Sequence, residues 1–71
     1  NMESSPLHHF FFVKCYIDSS RASELVDRAE DLGISTPYLL KMALSEDNET
    51  LEKLGMTSVD AMLTLKGLDS M

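Results

Sequence analysis

Few side chains in this 71-residue sequence have the types and spacing that support chemistry. His8, His9 and Cys15 are its only histidines and its only cysteine. A zinc site needs about four ligands, and neighbouring histidines on a helix point about 100° apart. We therefore interpret His8 and His9 as partly exposed residues near the N-terminus, and we expect neither a metal nor a cofactor.

Cys15 is a candidate nucleophile for covalent catalysis, and His8, seven residues earlier, could share its helical face as a base. A reactive cysteine needs such a base and an electropositive setting. The sequence has no Gly-rich turn that would form an oxyanion site, and the chain is too short for a substrate cleft. It predicts a buried, small apolar side chain at Cys15 and no enzymatic activity.

A dense group of acidic residues follows the middle of the chain: Glu46, Asp47, Glu49 and Glu52. A calcium loop of the EF-hand type needs alternating oxygen ligands and a central glycine, which this segment lacks. We interpret the acids as a solvated face or an electrostatic docking surface.

Composition narrows the class of partner. Twelve acidic and six basic residues give a net charge of -6, which disfavours nucleic acids and anionic membranes. The longest apolar run is too short to span a bilayer, and no signal peptide is visible. A single cysteine favours a reducing compartment. We expect a protein partner and an intracellular location, cytoplasmic or nuclear.

The candidate residues above must be positioned by helices, whose ends are marked by start and stop signals in the sequence. These signals divide the chain into a loose terminus, residues 1–5, and one domain, residues 6–71. Ser5 followed by Pro6 is a helix start. The apolar stretch that follows, residues 7–17, has good strand propensity, but no second strand is evident, so we favour a helix. Apolar residues then recur at helical spacing from Ala22 to Leu32, and Gly33 ends that helix.

The second half of the sequence repeats these signals. Thr36-Pro37 opens a short apolar helix, and we expect Ser45 to cap an acidic helix that ends at Gly55. Thr57-Ser58-Val59-Asp60 matches a capping box at the start of the last helix. The sequence predicts an all-α fold, a small bundle of four or five short helices.

The text of this half, LLKMALSEDNETLEKLGMTSVDAMLTLKGLDSM, resembles the sterile alpha motif (SAM) family in its Leu pair, its Ser-Glu-Asp stretch, its Leu-Gly-Met turn and its closing helix. The resemblance implies a SAM-like five-helix bundle. It also implies a non-catalytic interaction or oligomerisation module, serving as an adaptor within a larger signalling, scaffold or regulatory protein.

The same resemblance implies two binding surfaces. The mid-loop surface would use Glu46, Asp47, Glu49 and Glu52, and the end-helix surface would use Gly55, Thr57, Ser58 and Asp60. Homotypic and heterotypic partners are both compatible with the resemblance. Because the last helix has no Lys or Arg before Lys66, a different partner with a basic surface is favoured over a polymer.

Phe10-Phe11-Phe12 adds a possible apolar contact. Three consecutive aromatic residues cannot all face one core, so we expect Phe11 and Phe12 to form a patch that a partner could contact.

An alternative function is that of an acyl or peptidyl carrier domain, whose prosthetic-group serine lies in a G-x-D-S-[LM] motif. Gly67 to Met71 fits these letters, but a carrier needs a recognition helix after the serine, and only Met71 follows Ser70. Ser58 is a weaker match, because Thr57 replaces the aspartate.

Overall fold

Residues 5–71, the part of the chain that this computed structural model describes, contain five α-helices and one π-helical segment. They are α1 (Pro6–His9), the π segment (Phe10–Lys14), α2 (Ser19–Asp31), α3 (Pro37–Glu46), α4 (Thr50–Lys53) and α5 (Ser58–Asp69). No strand occurs in this range, so the predicted small all-α bundle is confirmed. The predicted loose terminus lies outside the described residues except for Ser5.

The ambiguous apolar stretch is helical as far as Lys14, and the helix widens after its first turn. Ser5 caps α1, where its hydroxyl accepts a hydrogen bond from the His8 N–H at 3.4 Å. Farther along, the Cys15 N–H donates to the Phe10 carbonyl at 3.0 Å, which is the i to i−5 spacing of a π-helix. Phe10 and Phe11 are both buried in the core. This apolar stretch therefore forms a helix, as predicted, but the helix is not a regular α-helix.

The predicted end of α2 at Gly33 is confirmed in detail. Gly33 has a φ of 81°, in the left-handed region that glycine enters without steric cost. Its N–H donates to the Glu30 carbonyl at 3.0 Å, and the Ile34 N–H donates to the Ala29 carbonyl at 2.8 Å. These two bonds define a Schellman motif, and Ile34 is buried beyond it.

The prediction that Ser45 caps the acidic helix is wrong. Ser45 lies in the last turn of α3, where its hydroxyl donates to the Met42 carbonyl at 2.7 Å. The acidic helix α4 starts later, at Thr50, and its N-cap Glu49 makes no side-chain capping bond. Serine is accommodated in a last helical turn by this backward bond, so its presence alone did not fix the start of a helix.

A single core joins the helices. Its buried apolar residues are Leu7, Phe10, Phe11, Cys15, Ile17, Ala22, Leu25, Val26, Ala29, Ile34, Leu40, Leu51, Leu54 and Leu68. Gly67 lets α5 approach the π segment, because a Cβ atom there would lie 2.5 Å from the Cys15 Sγ. The first and last helical parts of the chain therefore pack directly against each other.

Candidate interaction surfaces

The predicted acidic surface spans the end of α3, the following turn and α4. Glu46, Glu49 and Glu52 are exposed, whereas Asp47 is half-buried. Asp47 accepts a hydrogen bond from the Glu49 N–H at 2.9 Å and pairs with the Lys53 ammonium group. The Lys53 hydrogen bond, followed by that of the Glu49 N–H, holds the pKa of Asp47 below its ordinary value. Asp47 therefore shapes the turn, while the three glutamates project their charges into solvent.

Thr50 fixes this turn from the inside. Its side chain is buried, and its hydroxyl lies within hydrogen-bond distance of the Asp47 carbonyl, at 2.6 Å, and of the Ala43 carbonyl, at 3.2 Å. These contacts tie α4 to the end of α3. The acidic side chains are thus carried on an ordered backbone.

The outer face of α3 carries large apolar side chains that sequence reasoning did not assign to a surface. Tyr38, Leu39 and Met42 are 62%, 39% and 46% exposed, and only Leu40 of this helix is fully buried. Leu39, Met42 and Glu46 follow one another at i, i+3 and i+7, so they share one face of the helix. The available signal was that this helix is apolar on nearly every side, more than a single core contact requires.

The predicted end-helix surface is largely bonded within the chain. The Thr57 hydroxyl accepts a hydrogen bond from the Asp60 N–H at 3.1 Å, and the Asp60 carboxylate accepts one from the Thr57 N–H at 3.2 Å. The predicted capping box is therefore present. Ser58 and Gly55 are exposed, although the Gly55 carbonyl accepts a hydrogen bond from Arg21.

Asp60 also accepts two hydrogen bonds from Arg21, at 2.9 Å and 3.1 Å. Burial alone would raise the pKa of Asp60, but its hydrogen bonds to the Thr57 N–H and to Arg21 outweigh burial, and the pKa lies below its ordinary value. The carboxylate that was predicted to contact a partner thus neutralises an arginine of the same chain.

The predicted aromatic patch needs a correction. Phe11 is fully buried, because the widened π turn directs its ring into the core, so it is not available to a partner. Phe12 is 49% exposed, and its ring centroid lies 6.2 Å from that of His8. Phe12 alone of the predicted pair presents its ring at the surface.

His8 and Cys15 are both buried. The prediction of a partly exposed His8 is wrong, since its Nε2 lies 3.3 Å from the Ser19 carbonyl under the start of α2; His9 is exposed. Burial raises the pKa of the Cys15 thiol to about 11, although a hydrogen bond with Thr64 acts in the opposite direction. At neutral pH the thiol is protonated, as expected of a core residue. Within residues 5–71, no three His, Cys, Asp or Glu side chains are grouped as metal ligands would be.

Comparison of the chain with protein-family models, with curated proteins and with solved structures finds no match.

None of the helices formed by residues 5–71 is both long enough and apolar enough to cross a lipid bilayer.

Proposed function

We propose that this chain is a non-catalytic protein-interaction module that docks a basic segment of a partner protein on the outer face of α3 and the turn that follows it. The observation that carries the proposal is that exposed apolar residues and an exposed acidic residue share one face of α3. Exposed Leu39 and Met42 share a helical face with Glu46, and the exposed Glu49 and Glu52 follow at the start of α4. An apolar centre with a charged rim is the usual anatomy of a protein interface.

The resemblance to sterile alpha motif domains supports the same role, because that family uses its acidic mid-loop to bind other proteins. We propose accordingly that the chain serves as an adaptor within a larger signalling or scaffold protein. The end-helix residues contribute less in this proposal, since Thr57 and Asp60 are bonded to each other and to Arg21.

The test removes charge from the proposed surface without disturbing the turn. Glu49→Gln with Glu52→Gln removes two exposed charges, whereas Asp47 is left intact because it holds the backbone. Asp27→Asn with Glu30→Gln is the matched control, since both residues are exposed on α2. The wild-type chain, the Glu49/Glu52 variant and the Asp27/Glu30 control are each used as bait for affinity capture from a lysate of cells that express the protein. Quantitative mass spectrometry then compares the captured proteins.

We expect at least one basic protein that the wild-type and control baits retain and the Glu49/Glu52 variant loses. An identical set of captured proteins for all three baits would contradict the proposed surface. Sedimentation of the wild-type chain over a range of concentrations, at low and high salt, tests whether that partner is a second copy. Association through charged surfaces weakens as salt screens them.

A further inference from the structure

A cleft of about 460 Å³ opens on another part of the molecule, between the end of the π segment and the last turns of α5. Residues 13–16 form one side, and Leu63, Lys66 and Ser70 form the other. None of these residues belongs to the acidic surface. The volume lies within the range of about 300 to 1,000 Å³ that is typical of ligand-binding clefts.

The charge of this cleft is opposite to that of the chain. Lys14 and Lys66 both line it and are exposed, and neither forms an ion pair with another of residues 5–71. In contrast, Arg21 and Lys53 are paired with carboxylates. On a chain with a net charge of -6, the only charged side chains that line this cleft, among the residues that the structure describes, are two lysines.

Apolar surface surrounds the two lysines. Val13, Leu63 and Tyr16 all line the cleft, and 83% of the Tyr16 surface is exposed. Tyr16 has a φ of 60°, a left-handed conformation that is unfavourable for a residue with a Cβ. Such strain is concentrated at binding sites. Val59 lies one turn before Leu63 on α5 and is exposed, so apolar surface continues along that helix.

We propose that this cleft binds a short acidic and apolar segment of a partner protein. Carboxylates of the segment pair with Lys14 and Lys66, and an apolar side chain packs between Val13 and Leu63 beside the Tyr16 ring. A second copy of this chain is disfavoured, because two molecules with a charge of -6 repel each other on approach. The module then has two surfaces of opposite charge preference, and this second one does not depend on the acidic surface.

The test uses a dye-labelled hexapeptide of alternating Glu and Leu, titrated with the protein and followed by fluorescence anisotropy. The variant Lys14→Met with Lys66→Met removes both charges and keeps most of the apolar side chains. Lys41→Met is the matched control, because Lys41 is exposed on α3 and does not line the cleft. A hexapeptide of alternating Gln and Leu controls for binding that is purely apolar. Circular dichroism and urea unfolding establish that each variant is folded.

We expect saturable binding of the Glu-Leu peptide that is about 10-fold weaker for the double variant and unchanged for Lys41→Met. We also expect weak binding of the Gln-Leu peptide and loss of affinity at high salt. Absence of saturable binding, equal affinity for both peptides, or equal affinity of the folded double variant and wild type would each overturn the proposal. The Glu49/Glu52 variant must still bind the peptide, so failure of the acidic surface is distinguishable from failure of the cleft.

Discussion

The guanidinium group of Arg21 joins the first turn of α2 to the first turn of α5. Its Nε and Nη2 atoms donate hydrogen bonds to the Asp60 Oδ2 at 3.1 Å and 2.9 Å, although the two residues lie 39 positions apart. Nη2 also donates to the Gly55 carbonyl at 2.9 Å. Two turns farther along α2, Arg28 donates a hydrogen bond to the Leu54 carbonyl at 3.2 Å. Two arginines on α2 thus satisfy the free carbonyls at the end of α4 and hold the connection to α5.

Arg21→Met should destabilise the fold, because it keeps the aliphatic stem but removes the ion-pair partner of Asp60 and the side-chain donor to the Gly55 carbonyl. We expect a loss of about 1 to 2 kcal/mol in the free energy of unfolding, measured by urea denaturation. Arg28→Met removes a single bond and should cost about 0.5 to 1 kcal/mol. The double variant Arg21→Met with Asp60→Asn should lose less stability than the sum of the two single variants. Strict additivity would show that Arg21 and Asp60 are not coupled.

The free energy of unfolding should decrease at acidic pH because Asp60 becomes protonated. Its pKa is lower in the folded chain than the ordinary value of 3.8, so its charged form stabilises the fold above that pH. This contribution is lost as the pH falls through the still lower folded pKa. Asp47 acts in the same direction through Lys53. Urea unfolding between about pH 2 and pH 6 should show a shallower decline for Asp60→Asn than for wild type, whereas parallel curves would refute this assignment.

Gly55→Ala should cost more than Gly33→Ala, although the two glycines have φ values of 76° and 81°. An alanine in the left-handed region costs about 1 kcal/mol at either position. A Cβ at Gly33 meets nothing within 4 Å, whereas a Cβ at Gly55 overlaps the Arg28 guanidinium. The arginine can swing away, but it then loses its bond to Leu54, which adds about 0.5 to 1 kcal/mol. Equal losses in urea denaturation would show that Arg28 does not support this turn.

Gly67→Ala should destabilise the chain even though alanine favours helices. In an open helix position the change would gain about 1 kcal/mol. Here the new methyl group would lie 2.5 Å from the Cys15 Sγ and 3.2 Å from the Phe10 Cζ, and we expect a loss of about 1 to 3 kcal/mol from overpacking. Cys15→Ala removes the nearer atom, so the double variant should be more stable than the two single losses predict. Without such rescue, the loss would not arise from the Cys15 contact.

The helix ends were predictable from the sequence because their chemistry is local. The bonds that end or begin these helices join residues that are close in sequence. Each of these features lies where the sequence predicts it: Gly33, Gly55 and the capping box from Thr57 to Asp60. The burial of Phe11 was not predictable, because it depends on a π turn that only tertiary packing selects. Ser45 misled the prediction because a serine hydroxyl can accept a hydrogen bond from a backbone N–H at the start of a helix or donate one to a backbone carbonyl in the last turn, as Ser45 does.

The candidate surfaces were predictable only in part. The acidic residues are evident from composition, but the outward face of α3 has no periodic signature, since this helix is apolar on both its buried and its exposed sides. The cleft is lined by both Lys14 and Lys66, which are far apart in the sequence. No sequence pattern marks two lysines so far apart as neighbours, and their proximity follows from the packing of α5 on the π segment through Gly67.

Tyr16→Asn should stabilise the chain while it weakens binding at the cleft. Asparagine enters the left-handed region at lower cost than tyrosine, so relief of strain at φ 60° should add about 0.5 to 1 kcal/mol to the free energy of unfolding. Tyr38→Asn, the same change at the other exposed tyrosine, lies in α3 and should give no gain, since asparagine is a poor helix former. Urea denaturation and titration with the Glu-Leu peptide measure the two effects on the same samples. A variant that is more stable and binds the peptide less tightly would show that the Tyr16 side chain contributes to the cleft at a cost in stability, whereas unchanged affinity would assign Tyr16 to the turn alone.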